Sequence, residues 1–209
     1  MLFRSSEPSL RPITVEHGES TPVLVRGVER RCALATDPDP FEGRPLGLYG
    51  NRFARAKDDA IRRALTVLAP PTLSNILAMS AIPGGVGRYT EAEIHALLVT
   101  AYTGFHAAKL DSAAAAGSLA VEVHTGHWGT GAFGGHRVLM ALVQLVAARL
   151  AGIDRLVYHT VSADGSAPFE EATRCLDREL LPAGAAPRVV DLERALYEMG
   201  FVWGVSDGN

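Results

Sequence analysis

Residues 124–152, which read HTGHWGTGAFGGHRVLMALVQLVAARLAG, decide the fold of this chain. Five glycines stand among the ten residues 126–135, and the apolar residues that follow recur at helical spacing. One strand pattern, LAVEVHTG, precedes the glycines, and another, DRLVYHTV, follows the predicted helix. Strand, glycine loop, helix and strand make a βαβ unit, so we expect its two strands to pair in parallel.

The rest of the chain supplies further predicted elements around this unit. The patterns predict a strand near 23–25, loops over 37–51 and 162–169, and helices over 52–69, 90–110, 170–181 and 191–200. Residues 72–81 fit either a short helix or a buried strand. We therefore expect a three-layer α/β fold with a mixed, partly parallel sheet between helices. Residues 1–22, which contain three prolines, are expected to form an extended arm before a single domain over 23–209.

Composition excludes several classes of function. The chain has 209 residues, 47% of them apolar, and a formal net charge of −3. Such a charge does not favour general coating of nucleic acid or of an anionic membrane. The sequence shows no signal-type or membrane-spanning apolar stretch, which predicts a cytoplasmic protein. The basic residues between Arg52 and Arg63 are interrupted by Asp58 and Asp59 and fit a solvated helix face.

The glycine loop has the context of a phosphate-binding site. Such a site needs backbone N–H groups aimed at an anion, glycines that let the anion approach, and a helix N-terminus behind them. The triplet of glycines at 129, 131 and 134 also fits the G-x-G-x-x-G pattern of dinucleotide-binding domains. Those domains need an acidic residue at the end of the next strand. Here Asp154 precedes that strand, and the next carboxylate is Asp164.

Three stretches are informative when they are taken together: AYTGF (101–105), TGHWGTGAFGG (125–135) and LMALVQLVAARLAGIDRLVYHT (139–160). They resemble the C-terminal half of the poly(ADP-ribose) glycohydrolase macrodomain. The resemblance implies a macrodomain-like fold in which the glycine loop holds the diphosphate of ADP-ribose and the phenylalanine packs against the distal ribose. The loop positions that match the family pattern are Gly126, Trp128, Gly129, Gly131, Ala132, Phe133, Gly134 and Gly135.

Three positions of the loop depart from the family pattern. His127 stands where asparagine is usual, Thr130 where cysteine is usual, and His136 where aspartate is usual. We assign Thr130 and His136 to the substrate-binding loop with the matching residues. His136 places an ionisable group at the helix N-terminus, where its cationic form would attract an anion but oppose the helix dipole.

The family's hydrolases also carry a Q-E-E triplet whose last glutamate is the general acid, and this triplet is absent here. The nearest candidate is Glu93, which follows a second glycine-rich stretch at 82–89. The pattern Thr90-x-x-Glu93 is also a capping box, in which the two residues satisfy each other's backbone donors at a helix start. His127 is a second candidate acid or base. The spacing of His124, His127 and His159 is not typical of a metal site.

These residues leave three functions open. The first is a glycohydrolase acting on an ADP-ribosylated macromolecule or an NAD-derived metabolite, with Glu93 or His127 assisting and no cofactor. The second is a reader that binds ADP-ribose but lacks the acid, which the missing Q-E-E triplet favours. The third is a Rossmann-type NAD enzyme, which ranks last because the ribose carboxylate is missing. The sequence does not determine the oligomeric state.

Overall fold

The computed structural model describes residues 12–116, 119–160, 163–182, 184 and 186–208. They divide into two compact units. Described residues within Met1–Leu24 and Leu77–Gly208 form the first unit, and Val25–Ile76 forms the second. The predicted boundary between an arm and a domain at residue 22 stays a prediction. Among the helices of these residues, none combines the length and apolar content needed to cross a membrane.

The chain alternates helices with short strands. In order, the elements are β1 (Val15–Glu16), β2 (Glu19–Ser20), β3 (Val23–Leu34), α1 (Asn51–Ala54), α2 (Asp58–Ala64), β4 (Leu65–Ala78), α3 (Glu91–Ala116), β5 (Glu122–Thr125), α4 (Arg137–Ala151), β6 (Arg155–Tyr158), α5 (Ala163–Cys175), a π-helical turn (Leu176–Leu180) and α6 (Val189–Glu198). The hairpin of β1 and β2 turns through His17 and Gly18, both with positive φ. A two-residue hairpin turn of this kind matches the twist of its strands.

The βαβ unit is present as predicted. Strands β5 and β6 pair in parallel, with Val123 opposite Leu156 and His124 opposite Val157. Helix α4 joins them and ends at Ala151, and Gly152 follows as its C-cap with a φ of +67°, the left-handed conformation that glycine adopts most easily. Most of α4 is buried, and it packs against α3 and α5. Because α4 is packed on several sides, its first residue is held in place, and so is the end of the glycine loop that leads into it.

Two segments differ from the sequence prediction. The helix expected over 52–69 is divided into α1 and α2 and ends at Ala64, because residues from Leu65 onward pair with β3 as strand β4. Residues 72–81, for which the sequence left both helix and strand open, therefore form a strand as far as Ala78. The loop expected over 162–169 is helical from Ala163, although Pro168 lies inside α5 and removes one helical hydrogen bond. Packing of α5 on α4 favours the helix despite that loss.

The predicted sheet also needs correction. Among the described residues the strands form three separate two-stranded sheets, β1–β2, β3–β4 and β5–β6. The single mixed sheet between two helical layers is therefore not found in this part of the chain. What the structure retains of the prediction is a mixed α/β composition with one parallel pair, and that pair carries the glycine loop at its carboxyl end. Ligand sites of α/β proteins form at this end of parallel strands.

Candidate functional site

The glycine loop at 126–135 reverses the chain tightly between β5 and α4. Within it, the N–H of Gly135 donates to the Gly129 carbonyl at 2.9 Å, and the N–H of Gly134 donates to the Gly131 carbonyl at 3.0 Å. Gly129 and Gly134 have φ of +72° and +63°, which other residues rarely adopt. A Cβ at Gly135 would lie 2.7 Å from the Gly129 carbonyl oxygen. The glycines are therefore required by the shape of the loop.

The tip of the loop presents unpaired donors. In the part of the chain that the structure describes, the backbone N–H groups of Gly131, Ala132 and Phe133 donate to no protein acceptor. Consecutive N–H groups of this kind form an anion-binding concavity. Helix α4 begins two residues after the loop, and its N-terminus adds a partial positive charge. The tip is half-buried to exposed, so an anion can reach it.

A short segment near the end of the chain, residues 203–207, binds the carbonyl side of this tip, and we call it the strap. Gly204 N–H donates to the Gly134 carbonyl at 2.8 Å, and the Ser206 hydroxyl donates to the Ala132 carbonyl at 2.7 Å. Asp207 N–H donates to the Gly131 carbonyl at 3.3 Å. Because a trans peptide points its C=O and N–H in opposite directions, these bonds turn the next N–H groups away from the strap.

The strap is itself held by aromatic packing. Trp203 stacks on Tyr89 with ring centroids 4.3 Å apart, and its backbone N–H donates to the Gly87 carbonyl at 2.8 Å. The Tyr89 hydroxyl accepts a hydrogen bond from the His136 backbone N–H at 3.0 Å. Burial raises the pKa of Tyr89, so its hydroxyl remains neutral. Sequence reasoning missed the strap, because only the fold brings residues 203–207 beside residues 131–134.

His136 is the N-cap of α4. Its Nδ1 accepts a long hydrogen bond of 3.5 Å from the Leu139 backbone N–H, and its ring lies 4.9 Å from that of Phe201. Burial lowers the pKa of His136, and only the neighbouring charge of Glu171 opposes this shift. The neutral imidazole can accept the capping bond, whereas the protonated form cannot. His136 therefore caps the helix in its neutral form, and the cationic group considered from the sequence is disfavoured.

His127 is engaged at both ring nitrogens. Its Nε2 lies 3.1 Å from the Thr160 carbonyl, which can only accept, so Nε2 carries the proton. The Tyr158 hydroxyl lies 3.4 Å from Nδ1, and burial raises the pKa of Tyr158 to about 12, so the hydroxyl keeps its proton and can donate it to Nδ1. A Cβ at Gly165 would lie 2.7 Å from Nε2. His127 thus connects the loop to the residues that follow β6.

Glu93 forms the capping box that the sequence predicts. One of its carboxylate oxygens accepts from the Thr90 N–H at 2.7 Å and from the Thr90 hydroxyl at 2.9 Å. The Thr90 hydroxyl accepts in turn from the Glu93 N–H at 3.2 Å. In the described residues the carboxylate is thus bonded to Thr90 at the start of α3, and no hydrogen bond joins it to the glycine loop.

The two aromatic residues of the loop have different surroundings. Trp128 is half-buried, packs against the core and donates from Nε1 to the Met79 carbonyl at 3.4 Å. Phe133 is 45% exposed at the tip, so its ring is open to a ligand. Thr130 donates its hydroxyl to the His127 carbonyl at 3.2 Å, inside the loop. Only Phe133 of these three presents a free side-chain surface beside the unpaired N–H groups.

Gln144 is a site residue that the sequence analysis missed. It is fully buried on α4, and its amide donates to the Gly126 carbonyl at 3.2 Å and to the Met140 carbonyl at 2.9 Å. Its side-chain oxygen accepts from the Thr125 hydroxyl. A satisfied buried amide is costly to replace, so Gln144 fixes the start of the loop to α4. The one available signal was a polar residue within an apolar helical stripe.

The histidines near β5 and β6 form an exposed pair. His124 Nδ1 lies 2.9 Å from His159 Nε2, and His124 Nε2 lies 2.8 Å from a Glu122 carboxylate oxygen. His127 takes part in other hydrogen bonds, with Tyr158 and Thr160. The described residues contain no group of three or more side chains arranged to hold a metal ion.

Residues 47–167 match the family model described as poly(ADP-ribose) glycohydrolase, macro domain fold. This match covers more than half of the chain and contains the entire glycine loop. The chain belongs to this glycohydrolase family. The match begins far before residue 101, so family membership extends into the first half of the chain, beyond the resemblance seen in the sequence. No curated protein matches the chain.

Membership of the glycohydrolase family indicates a macrodomain fold and, at a coarse level, an ADP-ribose glycohydrolase-type function. The loop 126–135 lies wholly inside the matched region, whereas the strap at 203–207 lies outside it. The structure thus adds to the family's loop a supporting segment that the family match does not include.

Proposed function

We propose that the chain binds the diphosphate of an ADP-ribosyl compound at the glycine loop and hydrolyses its glycosidic bond. The main observation behind this proposal is that three successive N–H groups, those of Gly131, Ala132 and Phe133, have no acceptor among the described residues and lie before the N-terminus of α4. A diphosphate supplies several strong acceptors and the negative charge that such donors favour. Because the ring of Phe133 is exposed, we expect it to pack against the neighbouring ribose.

Hydrolysis requires more than binding. Glycoside hydrolysis passes through an oxocarbenium-like transition state and needs an acid for the leaving group and a base for water. His127 belongs to the binding loop and carries an imidazole, the side chain that enzymes use most often for proton transfer, so we propose it as the first candidate, although it must release its bond to the Thr160 carbonyl to act through Nε2. Glu93 is the second candidate, but it must release the hydrogen bonds from Thr90 before it can act.

A non-catalytic reader is the alternative, and one observation favours it. Both catalytic candidates are engaged in structural hydrogen bonds, Glu93 with Thr90 and His127 with Thr160 and Tyr158. A reader needs only the unpaired donors and the aromatic surface of the loop. The partner in either case is an ADP-ribose-containing small molecule or an ADP-ribosylated macromolecule. The cytoplasmic location expected from the sequence stays a prediction.

Calorimetry with three ligands tests the binding half of the proposal. ADP-ribose is expected to bind more tightly than ADP, because the distal ribose reaches Phe133, and NAD is expected to bind no better than ADP-ribose. Absence of ADP-ribose binding would exclude both the hydrolase and the reader. Tight NAD binding with weak ADP-ribose binding would instead support the Rossmann-type enzyme.

Turnover of ADP-ribosylated protein and nucleic acid separates hydrolase from reader. The hydrolase predicts release of ADP-ribose by the wild-type chain and a loss of turnover in His127→Ala that exceeds the loss in binding. Glu93→Gln keeps an acceptor for the Thr90 bonds, so it tests the carboxylate with the helix cap retained. If the wild type binds ADP-ribose but releases none from either substrate, the reader is the better description.

A further inference from the structure

The basic segment that the sequence analysis assigned to a solvated helix face lines a cavity in the second unit. This cavity has a volume of about 600 Å³ and lies between the turn at 43–48 and helices α1 and α2. Five cationic side chains line it, namely Arg44, Arg52, Arg55, Lys57 and Arg63, against one lining carboxylate, Asp59. Cavities of this volume are typical of small-molecule sites, and the proposed function above does not use this one.

Three of the guanidinium groups are held in place by backbone carbonyls. Arg44 donates from Nε to the Asp37 carbonyl at 3.1 Å, and Arg52 donates from Nη1 to the Leu46 carbonyl at 2.8 Å. Arg63 donates from Nε and Nη2 to one carbonyl, that of Glu42, at 3.3 and 3.1 Å. A carbonyl orients a guanidinium without cancelling its charge, and each arginine keeps further N–H donors. These three guanidinium groups are therefore positioned before any ligand arrives.

The charges in the cavity are only partly compensated. Arg44 has an ion pair with Asp39 at 3.2 Å, and Arg63 has one with the Glu42 carboxylate, also at 3.2 Å. The other three cations, Arg52, Arg55 and Lys57, have no ion pair among the described residues. Asp59, and Asp58 beside it, offset part of this charge. The remaining excess favours an anion with more than one negative charge.

We propose that this cavity binds a diphosphate group carried by a small molecule. Guanidinium groups match phosphate oxygens with paired N–H donors, and two linked phosphoryl groups can contact several of these cations at once. Arg55 and Lys57, which flank Ala56 between α1 and α2, have no ion pair among the described residues, so their charge is offset only in part by Asp58 and Asp59. Pro45 and Leu46 add an apolar wall beside the cations, which suits the organic part of a phosphate ester.

The test is an NMR titration of the full ¹⁵N-labelled chain with inorganic pyrophosphate at constant ionic strength. Because signals are assigned by residue, binding at 44–63 is resolved from binding at the glycine loop. We expect saturable shifts of the amides between 44 and 57. The variant Arg55→Ala with Lys57→Ala should weaken these shifts about tenfold in Kd, the loss expected for two exposed charge interactions.

The control removes the same charge from the same unit. Arg30 and Arg31 are exposed on β3 and do not line the cavity, so Arg30→Ala with Arg31→Ala should leave the pyrophosphate Kd within about twofold, because salt screens exposed charges that do not contact the ligand. Three results would overturn the proposal: shifts at 44–57 that do not saturate, shifts confined to 126–135, or equal weakening by both double variants. The first and third would indicate only general attraction by charge.

Discussion

Two glycine-rich loops of the first unit serve different purposes. In the loop at 82–87, Gly84 lies against the Phe133 carbonyl and Gly85 against the Trp203 indole, where an added Cβ would come within 2.8 and 2.3 Å. Those glycines make room for neighbouring groups. In the loop at 126–135, the glycines reverse the chain and leave consecutive N–H groups that have no acceptor in the described part of the chain. Glycine content alone does not distinguish the two, whereas the hydrogen bonds of their backbones do.

The largest effect on ligand binding is expected from Gly135→Ala. The new Cβ would lie 2.7 Å from the Gly129 carbonyl, a backbone atom that cannot move without opening the loop. We expect ADP-ribose affinity to fall by roughly a hundredfold, as overpacking by one methyl costs about 1–3 kcal/mol and the donors lose their alignment. Isothermal calorimetry gives the affinity.

Gly152→Ala is the matched control for this change. Gly152 also has a special role, with a φ of +67°, but nothing lies within 4 Å of an added Cβ. It should cost stability of about 1 kcal/mol through the strained cap and leave ADP-ribose affinity unchanged. Equal binding losses in the two variants would show that the loop is not specifically required.

Gly85→Ala should differ from Gly135→Ala, because we expect it to lower the stability of the fold more than the affinity for ADP-ribose. Its Cβ would meet the Trp203 indole, which must move away from Tyr89. We expect unfolding free energy to fall by about 1–3 kcal/mol, measured by urea unfolding, while ADP-ribose Kd rises less than about tenfold. A larger effect on Kd than on stability would mean that the loop at 82–87 acts on the ligand site, either by direct contact or through the strap that Trp203 anchors.

Ser206→Ala tests the contribution of the strap. The change removes the hydroxyl that donates to the Ala132 carbonyl, while the strap keeps its backbone bonds to Gly131 and Gly134. One such hydrogen bond is worth about 1 kcal/mol, so ADP-ribose affinity should fall about fivefold. Ser206→Thr keeps the donor and should restore most of the affinity. If neither variant changes the affinity, the strap does not orient the donors.

The smallest expected effect is the change in folding stability with pH that comes from His136. Because burial lowers the folded-state pKa of His136, the folded state binds fewer protons than the unfolded state between the two pKa values. The neutral His136 side chain therefore contributes its full share of the folding free energy above the unfolded-state pKa of about 6.5. This contribution declines as the pH falls from there toward the lower pKa of His136 in the folded state. Urea unfolding at several pH values should show it.

His136→Asn supplies the comparison for this pH dependence. Asparagine is a good N-cap that does not titrate. Between about pH 7.5 and 5.5 the wild type should lose stability relative to the variant, across the usual titration range of histidine. A constant difference between the two proteins over this range would contradict the assignment of a neutral cap to His136.

The sequence predicts the local features of this molecule well. The β5–α4–β6 unit, the Thr90–Glu93 capping box and the Gly152 cap each depend on residues close together in the chain, and each is confirmed. Elements that depend on distant partners were wrong or missed. Leu65 and the residues after it lie in a helical pattern yet pair with β3, because pairing of distant strands outweighs local propensity.

At the candidate site, too, the sequence predicts what neighbouring residues determine and misses what distant residues determine. The positions of the glycine loop follow from the sequence, but their donors are oriented by Ser206 and Asp207, more than 70 residues away. No spacing rule connects these residues to the loop. The roles of His127 and Glu93 likewise depend on their bonding partners in the fold, and catalysis by either residue stays a proposal.

The central claim is that the N–H groups of Gly131, Ala132 and Phe133 hold the diphosphate. The most direct measurement is a ¹⁵N NMR titration with ADP-ribose that follows these three amides. We predict saturable shifts at all three, with the same Kd as calorimetry and larger than the shifts at 84–87. Binding of ADP-ribose that leaves these three amides unshifted would contradict the claim.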